Sequence, residues 1–167
     1  IGKVLVSELI NESTIIGAHF HTNRVELEAL FDRKDLDQSS VHLFKGDLRH
    51  QKSCHKLVDK FYSWAGGIDA LVQLTGDVTN RRGWQSLAEQ DWTNDLQINL
   101  NGPFFLAQRA MKYMMQESGG RIILTSTVSA RHGGGPDSLG YGVAKAGIEC
   151  LVKGLARFGA RNGVLVN

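Results

Sequence analysis

The run Gly120-Arg-Ile-Ile-Leu-Thr-Ser-Thr-Val-Ser129, with Tyr141-Gly-Val-Ala-Lys145 beyond a glycine-rich stretch, decides the fold of this chain. Arg121–Thr125 is a short apolar, β-rich run that ends on the hydroxyls of Ser126 and Thr127. Gly133-Gly-Gly-Pro136 carries the residues of a loop, and Tyr141–Arg161 has the apolar spacing of a helix. Gly163 to Asn167 then opens another strand. A buried strand, a polar turn and a returning helix that leads to a further strand make a βαβ unit.

Outward from that unit the same alternation fills the chain. Lys3–Ile10 places Val4, Leu5, Leu9 and Ile10 on a helical stripe, Thr14–Phe20 reads as a strand and Arg24–Phe31 as a helix. Val41–Phe44 is a strand, and His50–Trp64 a helix with Leu57, Val58 and Phe61 on one face. Ala70–Leu74 is a strand, and Asp91–Gln116 a long helix that Gly102-Pro103 is expected to kink, because proline lacks an N–H and clashes one turn back. Short apolar strands alternating with helices of ten to twenty residues predict an α/β fold. Its parallel sheet is doubly wound, with helices on both faces, and residues 1–167 form a single domain. Ligands of such sheets bind beyond the carboxyl ends of the strands. Asp47, Thr75-Gly76-Asp77 and Ser126-Thr127 all fall there.

Composition excludes several classes. Charged residues make up 22% and the formal net charge is +2, without the basic stripe of a nucleic-acid binder. No apolar run reaches the 18 residues of a membrane span, and no signal-like segment opens the chain. The two cysteines, Cys54 and Cys150, are isolated, which fits a reduced, cytoplasmic setting. His50, Cys54 and His55 are near in sequence, yet no third and fourth ligand follows at a zinc-site spacing, so no metal is expected.

The chemistry concentrates on Tyr141 and Lys145, four apart at a helix start and therefore on one face. A phenol titrates near 10 in water, too high for ready proton exchange at neutral pH. A nearby ammonium favours the phenolate, so the pair can give a proton to a carbonyl oxygen or take one from an alcohol. Upstream stand Ser126-Thr127 at the strand end and Asn99 in Gln97-Ile-Asn-Leu-Asn-Gly102.

The order Asn-Leu-x-Gly, strand–Ser, loop, Tyr-x-x-x-Lys resembles the Asn-Ser-Tyr-Lys tetrad of the short-chain dehydrogenases/reductases. Gly140-Tyr-Gly-Val-Ala-Lys-Ala-Gly147 is similar to that family's active-site segment, nearest its 3-oxoacyl-acyl-carrier-protein reductase-like branch. The resemblance implies a Rossmann-type fold and an NAD(P)-dependent oxidoreductase that interconverts a carbonyl and an alcohol. It implies that Tyr141 is the general acid/base and that Lys145 lowers its pKa and binds the nicotinamide ribose. Ser126 or Thr127 would hold the substrate oxygen, and Asn99 would bend its helix and anchor a proton-relaying water. Gly2, in the opening Ile1-Gly2, is similar to the tail of the family's glycine-rich pyrophosphate loop. Asp47 and Leu48 correspond to the adenine contact, although Asp47 also suits a helix N-terminus. Leu74-Thr75-Gly76 stands where the family has Asn-Ala-Gly, preceded by Gln73 in place of another Asn; the glycine alone is kept.

NAD-selective folds set an acid at the end of the second strand. His19-Phe-His21-Thr-Asn23-Arg24 has none, and Arg24 suits a 2′-phosphate, so NADP is the expected cofactor ahead of NAD. The substrate class is a small carbonyl or alcohol compound. By analogy the chain forms a homodimer or homotetramer through the helices of Asn99 and Tyr141. The rival reading is a non-catalytic nucleotide-binding regulatory module of the same fold, which the altered Gln73-Leu74-Thr75 favours. The resemblance also implies a central strand ahead of Ile1 and a substrate loop after Asn167, so the chain reads as truncated at both ends.

Overall fold

The structure, a computed structural model, describes residues 1–10, 14–25, 40–79 and 83–167. The expected helix Arg24–Phe31 lies outside the described residues from 26 onward, as do Arg81 and Arg82.

Helix α1 (Gly2–Ile10) precedes β1 (Ile16–Phe20) and β2 (Val41–Lys45). Helix α2 (Gln51–Ala65) leads to β3 (Ala70–Gln73). The long helical region consists of α3 (Glu89–Leu96), a π turn (Gln97–Asn101) and α4 (Gly102–Met114). Then follow β4 (Gly120–Leu124), the short α5 (Ser129–His132), α6 (Leu139–Gly159) and β5 (Val164–Val166). This is the Rossmann-type α/β fold read from the sequence.

All ladders are parallel. β1 pairs with β2 in the register Ile16↔Val41 to Phe20↔Lys45. β4 is central in the other set, pairing Gln73↔Leu124 on the β3 side and Ile122↔Val166 on the β5 side. The strands therefore form a two-stranded and a three-stranded sheet instead of one. β1 and β3 both line a cleft of about 790 Å³, whose walls include Ile16, Ala18, Leu71, Leu106 and Ala110.

Parallel strands alternate their side chains between faces. Ile122, Leu124, Val164 and Val166 point to one side and are buried against Leu106, Ala107, Ala110 and Met114 of α4, with Val58 of α2 and Ile148 of α6 in the same core. On the other side Val72, Ile123 and Leu165 are exposed among the described residues. Burial sorts the three methionines, since Met111 and Met114 lie in the core while Met115 is exposed.

The kink expected at Gly102-Pro103 is instead a π turn just before it. The Gly102 N–H donates to the carbonyl of Gln97, five residues back, which widens the helix by one residue. Pro103, the second residue of α4, follows that turn directly. Ser129–His132, just ahead of the Gly133–Pro136 stretch, forms the short helix α5.

Candidate active site

The carboxyl ends of β3 and β4 bring together most of the residues singled out from the sequence. The π turn carries Asn99, fully buried, and aims its amide at the loop after β3. Asn99 Nδ2 donates to the Asp77 carbonyl at 2.6 Å and to the Asp95 carbonyl at 3.0 Å, while its Oδ1 accepts the Asp77 N–H at 3.0 Å. Every hydrogen-bonding position of that amide except one lone pair is thereby used, so its orientation is fixed.

Lys145, 2% exposed, reaches back from α6 and donates from Nζ to the Thr125 carbonyl at 2.7 Å. Burial lowers its pKa, since water no longer solvates the ammonium. Nζ lies 5.7 Å from the centroid of the half-buried Tyr141 ring, one turn earlier on α6. Gly76 closes the cluster. A Cβ there would stand 3.0 Å from Asn99 Oδ1 and 3.5 Å from Lys145 Nζ, so the backbone passes between them at a distance few side chains would permit. Thr125 ties the two strand ends, its Oγ1 donating to the Gln73 carbonyl at 2.7 Å.

The two hydroxyls after β4 part company. Ser126 Oγ faces α6, 3.1 Å from Glu149 Oε1 and 3.3 Å from the Lys145 carbonyl. Thr127 Oγ1 accepts a long 3.5 Å bond from the Ser129 N–H. Glu149 is a partner the sequence reading missed, although it stands four residues after Lys145 on the same helix face.

Leu74 and Thr75 lie at the end of β3. The Thr75 carbonyl accepts from Gln73 Nε2 at 2.7 Å, and Leu74 Cδ1 comes within 3.8 Å of where a Gly2 side chain would begin. Gly2 therefore opens α1 beside the strand end. Gln73 Oε1 is buried with no hydrogen-bond partner among the described residues.

A second cluster gathers at the ends of β1 and β2. Asp47 accepts from Arg49 Nη2 at 2.6 Å and Nε at 2.9 Å, with His21 and His50 each 3.8 Å away. The Arg49 guanidinium holds the Asp47 carboxyl well below the usual carboxylate range. Arg49 was not among the residues singled out from the sequence. His21, Asn23 and Arg24 are exposed just beyond β1. Leu48 follows Asp47, and its side chain is 3% exposed and belongs to the core.

Among the described residues no three His, Cys, Asp or Glu side chains are grouped to hold a metal ion, and no helix is long and apolar enough to cross a membrane. Cys54 is buried and its thiol is pushed up to about 11 by desolvation, which keeps it protonated at neutral pH.

A family model described as short chain dehydrogenase matches residues 1–167. The 3-oxoacyl-acyl-carrier-protein reductase FabG of Aquifex aeolicus is 28% identical over 170 residues, covering 100% of this chain and 66% of its own length. A short-chain dehydrogenase/reductase double mutant from Serratia marcescens superposes with a TM-score of 0.88 at 25% identity, over 99% of this chain and 66% of that one. The NADH-dependent reductase A1-R′ complexed with NAD gives a TM-score of 0.85 at 18% identity, over 98% and 70% of the two chains, a likeness of fold. The chain spans about two thirds of the length of the curated relatives it matches.

Proposed function

The chain belongs to the short-chain dehydrogenase family, and on that premise we propose that it is an NAD(P)-dependent oxidoreductase interconverting a carbonyl compound and an alcohol. The observation that carries this reading is the buried Lys145 ammonium, held by Thr125 behind the Tyr141 ring and against Gly76. A cation in that place serves a phenol that must release a proton.

Tyr141 Oη donates its proton to the carbonyl oxygen during reduction and recovers it in the reverse direction. Lys145 stabilises the resulting phenolate. Thr127 holds the substrate oxygen, because the Ser126 hydroxyl is committed to Glu149 and to the Lys145 carbonyl. Asn99 keeps the Asp77 loop, and with it Gly76, in place beside Lys145. The nicotinamide supplies the hydride when bound.

The residues present fit such a cofactor. Gly76 leaves a backbone passage at the strand end, Gly2 opens α1 next to Leu74, and Lys145 stands where a ribose hydroxyl could meet it. Thr75 would lie along the cofactor, and Asp47 at its adenine end. His21, Asn23 and Arg24 would meet the 2′-phosphate, which selects NADPH over NADH. The 3-oxoacyl-acyl-carrier-protein reductase relative suggests a 3-oxo ester or similar ketone as substrate. A carbonyl panel assayed with each reduced cofactor tests both points. NADPH should give the higher kcat/KM, and an NADH preference contradicts the role of Arg24. Nucleotide binding without turnover of any carbonyl supports the regulatory alternative.

A further inference from the structure

Asp95 is a carboxylate in the interior of the fold, 1% exposed, on the last turn of α3. Its Oδ1 takes two hydrogen bonds from one residue, the Thr79 N–H at 2.9 Å and Thr79 Oγ1 at 2.7 Å. The Thr79 hydroxyl also lies 3.2 Å from the Asp91 carbonyl, so the loop residue is seated on α3 at two points. The carboxylate packs against Gly140 on its other side. A Cβ at Gly140 would come within 2.6 Å of Asp95 Oδ2 and 3.1 Å of its Cβ. Gly140 immediately precedes Tyr141.

Four residues on, Asn99 grips the same loop through both backbone groups of Asp77 and donates to the Asp95 carbonyl. The two side chains share a helix face and divide the loop between them, Asn99 at Asp77 and Asp95 at Thr79. Asp95 also meets the first turn of α6. A buried carboxylate is costly when its hydrogen bonds are not made, and an apolar side chain would fill a helix interior more cheaply. The position is therefore a poor place for an acid whose only task is packing.

We propose that Asp95 is a positioning residue that couples the 77–79 loop to the first turn of α6, and so sets where the Tyr141 hydroxyl stands relative to Asn99 and Lys145. The proposal rests on the assignment of Tyr141 as the acid/base. Displacement of a reacting group by about 1 Å can lower a rate on the order of a hundredfold.

Three variants of the full chain test it: Asp95→Val removes the acceptor, Thr79→Val removes one of its two bonds, and Asp95→Asn keeps an acceptor oxygen of the same reach. The readouts are kcat and KM for carbonyl and cofactor, and amide hydrogen exchange by segment. Asp95→Val should lower kcat about 10–100-fold with cofactor KM within about threefold, and Asp95→Asn should recover most of that loss. Exchange should rise together in 77–79 and in 139–142, while 51–65 is unchanged. If Asp95→Val does not fold, Thr79→Val decides the matter, with a smaller kcat loss and exchange rising in the same two segments. Unchanged kcat, a rise in exchange confined to 77–79, or a rise across the whole domain overturns the proposal. Should the unaltered protein reduce no carbonyl, the assignment of Tyr141 fails by itself. The exchange pattern still supports or overturns the coupling of loop to helix.

Discussion

The two sheets hold their polar groups in opposite ways. At the end of β3 and β4, Asn99 and Lys145 are almost wholly buried and bonded to backbone at 2.6–3.0 Å. At the end of β1 and β2, the side chains around Asp47 are open to water, with exposures of 49% for His21, 39% for Arg49 and 69% for His50. The first arrangement suits a bond-making step, where dipoles must be fixed in a place water does not reach. The second suits the grip on a charged ligand, where contacts are individually weak and add in small increments. The hydrophobic support differs likewise. Ile122 is fully buried in the main core, whereas Ile16 of β1 is buried at the wall of the cleft and stands outside that cluster.

That contrast can be broken by stability measurements. Ile122→Ala should cost about 2–5 kcal/mol in urea unfolding, because the surrounding helices cannot close over the cavity. Ile16→Ala should cost about 2 kcal/mol or less, since its site already opens on the cleft. The reverse order would show that the two-stranded sheet is the better packed of the two.

A smaller effect of opposite sign sharpens the comparison. Lys145 is held in the interior against the solvation of its ammonium, and burial lowers its pKa. Lys145→Met should remove turnover and weaken cofactor binding, yet raise Tm by about 2–4 °C for each kcal/mol gained. A fall in Tm would mean that the bond to Thr125 outweighs the desolvation of the ammonium.

Much of this site was legible in the sequence because its signals are local. Tyr141 and Lys145 share a helix face by spacing, and Ser126-Thr127 end an apolar strand, so the βαβ frame delivers them to one place. What the sequence withheld depends on contacts between distant segments. Ser126 and Thr127 are equivalent hydroxyls until Glu149, 23 residues on, engages the first. Asp95 reads on a helix as an ordinary surface acid; Thr79 and Gly140, which bury it, lie 16 residues before and 45 after. Leu48 follows an aspartate in a loop, and nothing local marks it as core. Gly102-Pro103 did signal an irregular helix but not its form, because a π turn leaves no residue preference as strong as proline's. Apolar runs such as Ile122-Ile123-Leu124 promise burial without saying which face is covered, and Ile122 and Ile123 differ completely.

The central claim is that Tyr141 moves the proton. Its most direct measurement is the turnover of a reducible carbonyl with NADPH by the unaltered protein and by Tyr141→Phe, with cofactor Kd determined alongside. A loss of about 10²–10⁴-fold in kcat is expected with an almost unchanged Kd, because the ring remains and only the hydroxyl is removed. A Tyr141→Phe protein that keeps full turnover contradicts it.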